Sequence, residues 1–175
     1  MKYPAAMIQL LKCDPSGIRQ LPVNHLPWIC ICHVSLLGLI YGSTAAFLSR
    51  DLLAGQGLLK LIFAGIPVAF LMHAGAALFI WVFLKALGGN AAFLNAYFTI
   101  GVAAISLCPL APFLAILQTQ AFSPLILTGT TIAGLYGLAV NAKMIQDVFN
   151  LSFARMVIAL SVAIVYIGCF LYLWV

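Results

Sequence analysis

Charge is nearly missing from this chain. Only 6% of its 175 residues are Asp, Glu, Lys or Arg, against roughly 25% in an ordinary soluble domain. The acidic side holds three Asp and no Glu. Eight basic and three acidic side chains cannot coat a globule of this length with water-binding groups, which argues against a soluble enzyme, a coiled coil, a disordered tail and a nucleic-acid reader. Polar length is scarce as well. The longest stretch outside the apolar runs is a leader over residues 1–25, too short for a soluble domain. Asp14, Asp51 and Asp147 all fall outside the apolar runs, so the buried carboxylate of an ion-coupled carrier is wanting. No HExxH, P-loop or GxGxxG occurs, and no Ser-His-Asp set can be assembled inside a membrane without an acid. Enzymatic activity is therefore not expected. The five Cys are odd in number, and four fall inside apolar runs; they read as small buried hydrophobes and not as a disulfide frame.

What fills the chain is apolar. Hydrophobic residues make up 65%, and the mean hydropathy is +1.18. A bilayer core takes about 20 apolar residues per helix, and the pattern predicts an all-α integral membrane bundle of about five transmembrane helices. The spans fall near Leu26–Leu48, Leu61–Leu84, Asn95–Leu117, Pro124–Asn141 and Ala154–Val175. Pro27 sits in the tolerated first turn of the first span and Trp28 at its interface. The leader reads neither as a signal peptide nor as a lipoprotein signal. Met7, Ile8, Leu10 and Leu11 form one apolar face of a short interfacial helix, with Lys2, Lys12 and Arg19 at the headgroups and Asp14-Pro15-Ser16-Gly17 as its stop. Placing the leader in the cytoplasm puts Lys2, Lys12, Arg19, Lys85, Lys143 and Arg155 inside and only Arg50 and Lys60 outside. That bias predicts a cytoplasmic N-terminus and an external C-terminus. The composition and basic leader suit a bacterial inner membrane.

Several stretches together resemble a known family. Lys85-Ala86-Leu87-Gly88-Gly89-Asn90-Ala91-Ala92-Phe93, followed by Tyr97, resembles the turn between the second and third spans of the bacterial members of the YIP family of Ypt/Rab-interacting proteins. Pro109 and Pro112 fall where that family places prolines in its third span. Tyr136-Gly137-Leu138 and Phe153-Ala154-Arg155 resemble the stretch joining its last two helices. The resemblance covers Leu26 to Val175 and implies a five-helix fold in a membrane-organising or accessory protein without chemistry of its own. The Asp-Leu-Tyr-Gly-Pro-type stretch and long N-terminal region of eukaryotic members are not found ahead of Leu26, which argues against a Rab GTPase as partner.

Small residues point to helix packing. Gly38 and Gly42 form a GxxxG, Ala133 and Gly137 a small-xxx-small pair, and Gly75 stands alone in the second span. Most such pairs pack within their own chain; the rest serve a partner. His25, Cys30, Cys32 and His33 are four soft ligands within nine residues, but Cys32 leaves the face that Cys30 and His33 share, and a tetrahedral zinc site is not expected. His33 and His73 lie inside spans, about 10 and 16 Å from the inner end at 1.5 Å per residue. Either each imidazole bonds a neighbouring helix, or the two clamp a haem or chlorophyll-type pigment. Pro109 and Pro112 either bend the third span or open a passive pore. Lys143 and Arg155 belong to an amphipathic connector over 143–155, suited to anionic lipid headgroups.

The leading expectation is a non-enzymatic membrane protein that organises or assists a larger membrane complex by lateral helix packing, in contact with the lipid bilayer and other membrane-protein subunits. The alternatives are a cofactor-bearing subunit resting on His33 and His73, and a passive channel or transporter resting on the broken third span.

Overall fold

The computed structural model describes residues 3–48, 57–118 and 123–162. Lys2, the loop around Arg50 and Asp51, the turn at Thr119 and Gln120, and residues 163–175 of the last expected span lie outside the described residues. Within them the chain is wholly helical. The elements are α1 (Tyr3–Leu11), α2 (Ser16–Arg19), α3 (Leu26–Leu48), α4 (Leu58–Ala86), α5 (Phe93–Ala103), α6 (Leu110–Leu117), α7 (Pro124–Phe149) and α8 (Phe153–Val162). Helices α3, α4 and α7 are each long and apolar enough to cross a bilayer, and α5 with α6 makes a fourth such unit if the bent pair is counted as one.

The bend follows from the sequence. Pro109 and Pro112 have no N–H to give the ladder. The chain tightens to a 3₁₀ turn over Ala104–Leu107 and turns by 74° before α6. Despite the bend, the pair follows α7 throughout. Asn141 meets Ser106, Gly137 meets Leu107, and Gly129 meets Phe113. Its first residues lie beside the α7 C-terminus, where the Asn90 N–H reaches the Phe149 carbonyl. Gln118, just past its end, accepts a hydrogen bond from Tyr41, deep in the second half of α3. The pair and the residues flanking it thus reach from the C-terminus of α7 to the second half of α3.

The fourth apolar segment is longer than its composition suggests. It was expected to stop at Asn141, with a connector from Lys143; instead α7 runs unbroken for 26 residues to Phe149. The physical reason is burial. Met144, Ile145 and Phe149 recur on one face and are covered by the leader, α4 and α5. Lys143 and Asp147 thus stand on a helix.

Three helices close at the leader end with the same device. The N–H of Asp14 reaches the Gln9 carbonyl, that of Gly89 reaches Leu84, and that of Leu151 reaches Gln146. The residue before each is left-handed: Cys13 at φ 62°, Gly88 at φ 87° and Asn150 at φ 51°. These are Schellman caps, which give the last carbonyls of a helix their partners. Beyond the first, the Ser16 N–H bonds the Asp14 carboxylate at 3.0 Å and holds that carboxyl below its usual range.

The close approach of α3 and α4 is set by glycine. A methyl group added at Gly38 would stand 2.6 Å from the Gly65 carbonyl oxygen, and one at Gly42 would stand 2.5 Å from that of Ile62. Gly65 in turn faces the Gly38 backbone. The GxxxG of the first span is therefore spent inside the chain. Gly65→Leu is expected to cost about 1–3 kcal/mol or more, as overpacking does, and Gly75→Leu almost nothing, because a methyl added at Gly75 would have no neighbour outside its own helix within 4 Å. Thermal unfolding in detergent checks both; equal losses would contradict the glycine contact.

Candidate functional site

The polar groups inside the bundle gather on α3, α4, α5 and α7. His33 is 2% exposed. Its Nδ1 lies 2.7 Å from the Val102 carbonyl, which can only accept, so Nδ1 carries the proton. Its Nε2 then accepts from the Tyr3 hydroxyl at 2.7 Å. Burial pushes the Tyr3 phenol above its ordinary pKa, which keeps it a donor. A histidine in α3 thus ties α5 to the start of the leader.

The rest of the leader is tied in the same direction. Ala6, Met7, Leu10 and Ile18 are buried in one cluster with Val102, Ala103, Val140 and Met144, while Ile8 stays exposed. The Tyr136 hydroxyl donates to the Leu11 carbonyl at 2.8 Å. Arg19 forms an ion pair with Asp147, its Nε 2.7 Å from Oδ2. Of the apolar face read from the sequence, Met7 and Leu10 lie against protein.

His73 sits one helix over, and its setting differs. Its Nε2 is 3.1 Å from the Tyr97 carbonyl and 3.8 Å from the Cys30 sulfur, with the Tyr97 ring 4.5 Å away. The carbonyl fixes the proton on Nε2. Gly101 makes this junction possible, since a methyl there would overlap the Cys30 sulfur and stand 3.0 Å from His73 Nε2.

Beside His73 lies a cavity of about 560 Å³, within the range of small-molecule sites. Its walls come from α3, α4, α5, α7, α8 and the 3₁₀ turn, with Phe79, Leu107, Gly134 and Met156 among them. Among the described residues only two polar side chains join this wall, His73 and Asn141. Asn141 donates from Nδ2 to Ser106 Oγ at 3.1 Å and to the Gly137 carbonyl at 2.9 Å, while Ser106 donates to Ala103.

The residues singled out from sequence divide as follows. His33 and His73 do not meet across a shared space: His73 lines the cavity, while His33 is outside it with both ring nitrogens bonded. A pigment or haem held by both would have to displace the Tyr3 hydroxyl from His33 Nε2. Cys30 is buried and Cys32 exposed, so the soft ligands near the start of α3 diverge. Gly38 and Gly42 pack on α4. Ala133 and Gly137 are both buried on α7, with Leu107 over Gly137. Lys143 and Arg155 are exposed towards the leader end, and Arg155 lies over the Gly88 turn, 3.0 Å from where a methyl would stand. Sequence reasoning missed Gly65, Gly101 and Asn141. The first two carry no pattern without knowledge of which helices touch; Asn141 was available as a polar residue in an apolar run and was taken for the end of a span.

Comparison of the chain with family models, curated proteins and solved structures finds no match.

Tyr3→Phe is expected to cost about 1 kcal/mol, one hydrogen bond with a buried acceptor left behind, and to release the leader first. Limited proteolysis should then cut before residue 20 faster than in the parent protein, with the rest of the bundle intact. Unchanged cleavage would mean that the Tyr3–His33 bond does not hold the leader.

Proposed function

We propose that this is a non-enzymatic integral membrane protein that serves as an accessory or organising subunit of a larger membrane complex. One observation carries the reading. Val68, Leu71, Gly75, Leu78 and Val82 of α4 follow one another at alternating steps of three and four, and all are exposed; Leu71 reaches 75%. That is the repeat by which one helix seats its side chains into a partner helix. Gly75 gives the seam a close-approach point in its middle. The seam runs along a 29-residue helix whose opposite side is held by α3. A partner helix from another membrane subunit is the occupant it fits.

The finer features belong to the same proposal. A fifth span beginning at α8 would give an odd count, with the basic leader end in the cytoplasm of a bacterial inner membrane and the C-terminus outside. Lys143 and Arg155 at that end suit anionic headgroups. The resemblance to the bacterial YIP family supports the five-helix architecture through the Leu87-Gly88-Gly89 turn and the Phe153-Ala154-Arg155 stretch, which come together in space at Gly88 and Arg155.

Two measurements check this. Purified in mild detergent, the native protein should elute with a stoichiometric membrane partner, and Gly75→Leu should abolish that co-elution while leaving the melting temperature unchanged. A solitary peak for the parent protein, or a partner retained by Gly75→Leu, would overturn the seam as the contact. A reporter fused after Val175 should read as external; a cytoplasmic reading would exclude five spans.

A further inference from the structure

The cavity beside His73 has a feature that lateral packing does not use. His73 Nε2 donates to the Tyr97 carbonyl, so the neutral ring presents Nδ1 as a bare acceptor. Asn141 spends its Nδ2 hydrogens on Ser106 and Gly137. The Gly137 carbonyl can only accept, which fixes the amide orientation and leaves Oδ1 as the second acceptor. No group among the described residues bonds either atom. Both side chains belong to the wall of one cavity, and every other wall residue is apolar. Acceptors in apolar surroundings are costly until something donates to them.

We propose that this cavity binds an uncharged, lipid-soluble molecule carrying two hydroxyl groups, one donating to His73 Nδ1 and the other to Asn141 Oδ1. The chemistry of the wall makes three demands. The apolar lining excludes a charged headgroup. The two acceptors select donors, so a hydroquinone fits where the corresponding quinone, with carbonyls alone, does not. The volume accommodates a ring or glycerol unit with part of an alkyl chain. The site is separate from the α4 seam: none of Val68, Leu71, Gly75, Leu78 or Val82 lines it, and its test involves no partner chain.

Two sources of this chemistry are an aromatic diol and a glycerol diol, and the experiment separates them. Full-length protein in nanodiscs is titrated with decylhydroquinone, kept reduced, and with a monoacylglycerol; the dimethyl ether of decylhydroquinone is the control. At least one diol should bind, and the ether should bind about tenfold or more weakly, the value of one lost hydrogen bond to an acceptor in an apolar wall. Which diol binds identifies the source. His73→Phe should narrow the gap between decylhydroquinone and its ether. Because that change also removes the bond to Tyr97, a second variant is needed. Gly134 lies in the wall, and the first carbon of a side chain there would meet only Leu110, at 3.9 Å. Gly134→Leu should keep the fold, as read by its melting temperature, and abolish binding. Equal binding of diol and ether would overturn donor recognition. Binding that survives Gly134→Leu would place the ligand elsewhere, and failure of both diols to bind would leave the cavity to water.

Discussion

Helices α3 and α4 meet backbone to backbone, and most of the interior follows from that contact. Where Gly38, Gly42 and Gly65 stand there is no side chain to keep the two axes apart. In a bilayer, where lipid tails are as apolar as leucine, such close van der Waals contact is a main source of helix association. The contact also fixes register. With Gly38 opposite Gly65, Cys30 falls opposite His73, and the pair forms a socket for Gly101 of α5. One side of α4 is thereby consumed, which turns its Val68–Val82 seam outward and leaves Met72, His73, Ala76 and Phe79 to wall the cavity.

The polar interior obeys one rule, that a group removed from water needs a partner. Breaking the helix at Pro109 would have exposed carbonyls, and the 3₁₀ turn, Ser106 and Asn141 absorb that cost. His33 is satisfied twice over. Three acceptors stand apart from this economy among the described residues: Gln9 Oε1, buried in the leader without a partner, and the two at the cavity.

Legibility in the sequence varied with the range of the forces involved. Apolar runs are local, so α3 was readable to the residue and α4 nearly so. The prolines announced a break at 109. The end of α7 was not readable, because Asn141, Lys143 and Asp147 look like a connector until Met144, Ile145 and Phe149 find their cover on other helices. The leader posed the same difficulty: its apolar face was visible, but whether lipid or protein covers Met7 and Leu10 depends on residues nearly a hundred or more positions away. Of the site, His73 was visible as a costly ring in an apolar run. Its pairing with Asn141 was not, since nothing local links α4 to α7. The Cys13 cap was hidden too, because a non-glycine residue in the left-handed region carries no compositional mark.

The leader's anchors have a consequence for the order of assembly. Arg19 is bonded to a residue 128 positions later, and Tyr136 holds the carbonyl at the end of α1. At synthesis rates of about 5–20 residues per second, Asp147 leaves the ribosome roughly 6–26 s after Arg19. Throughout that interval the leader can bond His33 of α3 through Tyr3 and pack on Val102 and Ala103 of α5, but it lacks both of its anchors on α7. The N-terminus is made first and its seat is completed last, when Asp147 and Tyr136 arrive with α7. In this chain, an Arg19 still without Asp147 marks an unfinished molecule.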